Sequence, residues 1–206
     1  AVAALGQRDM KTLVAFSSLS HLGLVLLALF AFSATSVPAS LLMIFSHGLI
    51  AAALFLLLGF VEERVKTRDL FAFGGLAKSA PRLQAIMLIV AMAALGLPGL
   101  SGFAGEFLIF IGAWQTQPVA TAISLFSVLL ASVYVLRLFQ GVLHAAQFAP
   151  ISAPVRDLQP REMWLLVPLV AAIVWLGVWP AWFNNRSPNN MAGIYSRQSS
   201  ASSVGL

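Results

Sequence analysis

Five stretches of this chain are long and apolar enough to cross a lipid bilayer: residues 12–33, 39–61, 83–116, 119–139 and 163–183. A hydrocarbon core about 30 Å thick takes roughly 20 residues of helix. Inside it, only helices and closed barrels satisfy every backbone N–H and C=O. The runs lack the period-two alternation of barrel strands, so the expected fold class is all-α, a polytopic membrane helix bundle of about five spans. Composition agrees. Only 9 % of the 206 residues are charged and 60 % are hydrophobic, whereas soluble domains carry about 25 % charged residues. Too few charges are present to clothe a water-facing surface, which excludes a soluble fold, a nucleic-acid binder and a disordered protein. The chain has no cysteine, so disulfides, thiolate metal sites and cysteine catalysis are excluded too.

The third run covers 34 residues, too many for one straight crossing. It contains GLPGLSGFAGEF (96–107), where Pro98 and the glycines Gly96, Gly99, Gly102 and Gly105 interrupt the helical pattern. We read it as a single discontinuous span, broken over residues 96–106. The charges provide a check. Arg8, Lys11, Arg64, Lys66, Arg68, Lys78, Arg82, Arg137, Arg156 and Arg161 fall on one side if each run crosses once, leaving only Arg186 and Arg197 opposite. This positive-inside bias puts the N-terminal end in the cytoplasm and the C-terminus on the non-cytoplasmic side. The first six residues read as the end of a preceding helix, so the chain is expected to be a fragment. Residues 1–183 form the expected membrane bundle, and the Ser/Asn-rich residues 184–206 a flexible polar tail.

Six of the seven acidic residues lie in the charged connecting stretches; the seventh, Glu106, stands alone inside the third run. A carboxylate at membrane depth costs at least ~2.5–3.5 kcal/mol on insertion scales, so such groups face protein or water and commonly move ions or protons. The alternative is a neutral Glu hydrogen-bonded to backbone freed at the break. His21 and His47 are the other titratable groups at depth, and imidazole passes protons through either nitrogen. Each has the competing reading of a neutral, hydrogen-bonded core histidine. Ser17, Ser18 and Ser20 beside His21 form a hydroxyl cluster suited to water or helix contacts. Lys11 reads as an interface anchor or as the end of a proton path, and Arg137 as a side chain snorkelling to the cytoplasmic side. His144 does not complete a metal site with the other two histidines. The GLPGLSG stretch lacks the Lys-Ser/Thr ending of a phosphate loop.

The stretches DMKTLVAFSSLSHLG (9–23), IFSHGLIAAALFLLLG (44–59), EERVKTRDLFAFGGL (62–76), LGLPGLSGFAGEFLIF (95–110) and LLASVYVLRLF (129–139) occur in this order. Together they resemble the C-terminal part of the antiporter-like, proton-translocating subunits of respiratory complex I, in particular the NuoM type (mitochondrial subunit 4, NdhD). The resemblance extends to about residue 183. It implies the second of two inverted helix repeats, each with a broken helix. Glu106 matches the terminal acidic residue of the second broken helix, and His21 and His47 match the relay histidines leading to it. Related NuoL, NuoN and cation/proton antiporter subunits usually carry Lys at that acidic position, which favours the NuoM type. The family's first repeat, with its ion-paired Glu and Lys, has no counterpart here.

The function so implied is a membrane-arm subunit of an NADH:quinone oxidoreductase, relaying protons while electrons flow elsewhere. Its partners would be other membrane-arm subunits, NuoL-like and NuoN-like ones included. FMN, iron–sulfur clusters and quinone would belong to partner subunits, with no redox site in this chain. The location implied is the bacterial cytoplasmic membrane. Alternatives are a subunit of a cation/proton antiporter or membrane-bound hydrogenase, or a scaffold that does not conduct.

Overall fold

The computed structural model describes residues 1–71, 75–144 and 155–180. The segment 184–206, read as a tail, lies outside the described residues. The described elements are α1 (Val2–Leu5), α2 (Met10–Phe30), α3 (Ser36–Val65), α4 (Leu76–Ser79), α5 (Pro81–Ala94), α6 (Ser101–Trp114), α7 (Pro118–Leu143) and α8 (Pro160–Val178). Four of them, α2, α3, α7 and α8, are long and apolar enough to span a bilayer. The third apolar run is divided between α5 and α6, each 14 residues, or about 21 Å long at 1.5 Å per residue. Neither crosses alone. In series they do.

Charged groups gather at one end of the bundle and fasten it. The Asp9 carboxylate accepts the backbone N–H groups of Lys11 and Thr12 at 2.8 and 2.9 Å, capping α2. Asp157, far along the chain, does the same for α5 through the amides of Arg82 and Leu83 at 3.0 and 3.1 Å. Arg64 donates to Glu162 at 2.5 Å, tying the end of α3 to the start of α8. Arg137 is part of α7; its guanidinium reaches the Leu5 carbonyl and lies 5.2 Å from the centre of the Phe71 ring. The snorkelling read from sequence is thus directed at α1 and the charged end.

The rest of the bundle is apolar outside and partly polar inside. Val119, Ile123, Phe126 and Val133 point outward from α7, as lipid or apolar partners require. Ser17, His21, Ser36, Ser40, Ser46, Ser101, Glu106 and Thr121 are buried. Helix α3 packs against α2, α5, α6 and α8, and its approach to α6 is close. A Cβ on Gly105 would come within 2.9 Å of Met43 Cα, and one on Gly112 within 2.6 Å of the Ser36 nitrogen. Small residues let the two backbones meet there.

The break in the third span is shorter than the sequence indicates. Helix α5 ends in a Schellman closure: Gly96 N–H donates to the Ala93 carbonyl at 3.2 Å and Leu97 N–H to the Met92 carbonyl at 3.1 Å. Gly96 adopts φ +67° to do so, and Pro98 follows. Gly99, at φ +93°, turns the chain back, and α6 resumes at Ser101. Gly102, Gly105 and Glu106 are therefore helical. Gly102 serves close approach, since a Cβ there would lie 2.2 Å from the Ala93 carbonyl oxygen.

Candidate functional site

Glu106 occupies the second turn of α6 and is 7 % exposed. It is eight residues from the uncharged end of α6 and His21 is nine from that end of α2, which places both about 12–14 Å below it. His21 Nε2 stands 3.4 Å from Glu106 Oε1. The other carboxylate oxygen faces the break: a Cβ on residue 96 would lie 2.7 Å from Glu106 Oε2. Glycine at 96 thus provides both the left-handed turn and the room for the acid.

The environment of His21 restricts its protonation. Nδ1 lies 2.8 Å from the Ser17 carbonyl oxygen. A carbonyl only accepts, so Nδ1 carries a hydrogen and donates it. What passes between Nε2 and Glu106 is then a single proton, resident on the acid or on the imidazole. His47 stacks on His21 with ring centroids 4.6 Å apart and planes 21° from parallel. Two imidazolium charges at that distance would repel by about 4 kcal/mol at an effective dielectric of 20. The order is thus Glu106, His21, His47, with only His21 in contact with the acid.

Among the described residues, four buried side-chain polar atoms have no hydrogen-bond partner: Ser46 Oγ, His47 Nε2, Ser101 Oγ and Tyr134 OH. Ser46 and His47 lie on α3 between Met43 and Ile50, which pack against Gly105 and Gly102 of α6. Ser101 opens α6. Tyr134, on α7, is fully buried beside Ser17 and Ser20 of α2. Each unpaired group costs about 1–3 kcal/mol if left dry, a strong reason for internal water within the bundle.

Lys11 is not brought to this cluster. It lies ten residues before His21 on α2, about 15 Å along the helix, and its Nζ pairs with Glu62 at 2.6 Å. Pro98 and Gly99 belong to the break beside the acid. His144, at the end of α7, lies tilted against Phe139 with ring centroids 5.4 Å apart and is separate from the other histidines. Tyr134 is a site residue that sequence reasoning did not single out, and Gly96 was read there only as one of the glycines of the break. A signal existed for the tyrosine: it is one of two in the chain and lies within a membrane-spanning run.

Residues 1–135 match the family described as NADH:quinone oxidoreductase/Mrp antiporter, transmembrane. The chain is 40 % identical over 196 residues to NADH-quinone oxidoreductase subunit M of Pseudomonas aeruginosa, covering 94 % of this chain and 38 % of that protein. It is 38 % identical over 182 residues to the protein of the same name in Escherichia coli, covering 86 % and 35 % respectively. It thus spans well under half the length of these relatives. Among solved structures, a chain of respiratory complex I from Thermus thermophilus superposes with a TM-score of 0.81 at 36 % identity, over 88 % of this chain and 38 % of that one. A chain of the Mrp complex from Dietzia sp. shares the fold, with a TM-score of 0.80 at 20 % identity over 88 % of this chain and 42 % of that one.

Proposed function

The chain belongs to the NADH:quinone oxidoreductase/Mrp antiporter transmembrane family, and on that premise we propose that it serves a proton-translocating membrane-arm subunit of an NADH:quinone oxidoreductase. The observation that carries this reading is the buried contact between His21 and Glu106 at a helix break, 3.4 Å apart. With the proton on Glu106 the pair is neutral; with the proton on His21 it is an imidazolium–carboxylate pair. The two states differ in charge separation, so a change of potential nearby shifts the proton between them. His47, stacked on His21, exchanges the proton with it through internal water, and the repulsion between two charged rings keeps the transfer to one proton at a time.

In this role Pro98 and Gly99 hold the break open beside Glu106, and Gly102 and Gly105 let α6 close on its neighbours. Lys11, engaged by Glu62, anchors the charged end. The driving electron transfer takes place in partner subunits holding FMN, iron–sulfur clusters and quinone. NuoL-like and NuoN-like subunits flank this one in the membrane arm. The charged end faces the cytoplasm of a bacterium, its inner membrane holds the bundle, and the C-terminus lies outside.

Glu106→Gln and Glu106→Asp in the full-length subunit of an assembled complex test this. Gln keeps size and hydrogen bonding but removes the titratable proton; Asp keeps the acid and shortens its reach. The expected result is that Gln lowers NADH-driven proton pumping per complex by about tenfold or more, the scale of losing a positioned acid–base group, while Asp retains a substantial part. Normal pumping by the Gln variant would overturn the proposal.

A further inference from the structure

Resting on the relay reading above, we infer that α8 sets the position of Glu106, and that Gly177 is the positioning residue through which it does so. The observation is a backbone-to-backbone approach at the helix break. A Cβ on residue 177 would lie 2.3 Å from Leu100 Cα and 2.4 Å from both the Gly99 carbonyl oxygen and the Leu100 carbonyl carbon. All three atoms are backbone, so no side chain can swing aside to make room. Helix α8 lies beyond residues 1–135, the part of the chain that matches the family.

The break has little of its own to fix its shape. Within residues 97–100 one backbone hydrogen bond forms among the described residues, from Leu100 N–H to the Leu97 carbonyl at 3.1 Å. Pro98 has no N–H to give. Gly99 is at φ +93° with open space where a Cβ would stand. Leu100 occupies the capping position of α6 without a side chain able to cap it, and the buried Ser101 hydroxyl after it has no partner among the described residues. A linker with a glycine at its bend turns freely, so the angle between α5 and α6 is set by what packs against them.

Glycine contacts do that from three helices. Gly102 meets the Ala93 carbonyl of α5 and Gly105 meets Met43 of α3. Gly177 supplies the contact from α8, and it bears on the residue that leads into α6. Glu106 follows six residues after Leu100 on that helix, so a displaced first turn carries the carboxylate with it. Oε2 already stands against Gly96, and Oε1 is 3.4 Å from His21 Nε2. Proton transfer needs about 2.6–3.2 Å or one bridging water, which leaves little tolerance. A Cβ at 177 must shift the break by about 1 Å to reach ordinary contact, and a misplacement of about 1 Å from a remote mutation can cost about 10²-fold in rate. Around the acid, α2 presents His21 and α3 His47, while Tyr134 of α7 lies beside Ser17 and Ser20. The remaining titratable side chains of α2, α3, α5, α7 and α8 are at the charged end.

The test is Gly177→Ala in the full-length subunit of the assembled complex in membrane vesicles, with Ile173→Ala, Leu166→Ala and Glu106→Gln alongside. Ile173 and Leu166 are both fully buried on α8. Ile173 is one turn from Gly177, and Leu166 is eleven residues away, about 16 Å along the helix. NADH-driven pumping is measured per complex across pH, together with complex abundance. The expected result is pumping at least several-fold lower in Gly177→Ala, with its pH profile displaced from wild type. Ile173→Ala should show a smaller change of the same kind, and Leu166→Ala a wild-type rate and profile per complex even where its abundance falls. A wild-type rate and profile in Gly177→Ala overturns the inference, whatever the abundance. If no Gly177→Ala complex assembles, a rate and profile in Ile173→Ala equal to those of Leu166→Ala overturn it. Impaired Glu106→Gln beside normal Gly177→Ala removes the role of α8 alone, whereas normal pumping by Glu106→Gln overturns the relay reading itself.

Discussion

His21 presents Nε2 to Glu106 at 3.4 Å with its tautomer already decided, because Nδ1 is committed to the Ser17 carbonyl at 2.8 Å. The backbone of α2 thereby orients the ring and leaves one nitrogen available to the acid. His47 has no such contact with Glu106. Its ring lies on the face of His21, 4.6 Å between centroids, an arrangement that gives the two rings no direct hydrogen bond.

That asymmetry ranks the two histidines. His21→Phe is expected to lower pumping per complex about as severely as Glu106→Gln, since the acid loses its proton partner. His47→Phe is expected to have a smaller effect, because water at the same depth reaches His21 without it. Pumping and complex abundance, measured together for both variants, check the order; a larger loss at His47 would contradict it.

Gly96→Ala is expected to be costly for two separate reasons. The left-handed φ of +67° disfavours any Cβ by about 1–2 kcal/mol. The added methyl would also stand 2.7 Å from Glu106 Oε2 and push the carboxylate away from the break. Lower thermal stability of the assembled complex together with reduced pumping is the expected outcome. Gly23→Ala, with open space around its Cβ, is the control expected to leave pumping unchanged.

Asp157→Ala removes the carboxylate that accepts the first amides of α5 from Arg82 and Leu83. Loss of such a cap costs about 1 kcal/mol. The expected result is a lower midpoint of thermal unfolding with nearly normal pumping, because the cap is at the charged end, remote from Glu106. Asp157→Asn retains an acceptor oxygen and should recover most of the stability. Equal stability of the alanine variant and the wild type would show that water caps α5 equally well.

Much of the bundle is legible in the sequence because the bilayer is a one-dimensional constraint. A run of some 20 apolar residues must cross it as helix wherever the partners lie, so α2, α3, α7, α8 and the divided third span follow from local composition. Pro98 and its glycines announced the interruption for the same reason. Glu106, His21 and His47 stand out as candidates because polar groups at membrane depth are rare and expensive.

Their arrangement was not legible. Whether Gly102 and Gly105 unwind a helix or admit a neighbour depends on what lies opposite, and only the approach of Ala93 and Met43 decides for close packing. This is why Glu106 is held in a regular turn of α6, not in the break. Gly96 meets the carboxylate because the Schellman turn folds the chain back on itself, and Tyr134 joins the site because α7 packs beside α2 and α6. The apolar pattern determined which residues cross the membrane, since burial of backbone polar groups is a local requirement. Helix rotation and crossing decided which polar groups meet inside it, since those depend on side-chain contacts between segments far apart in the chain.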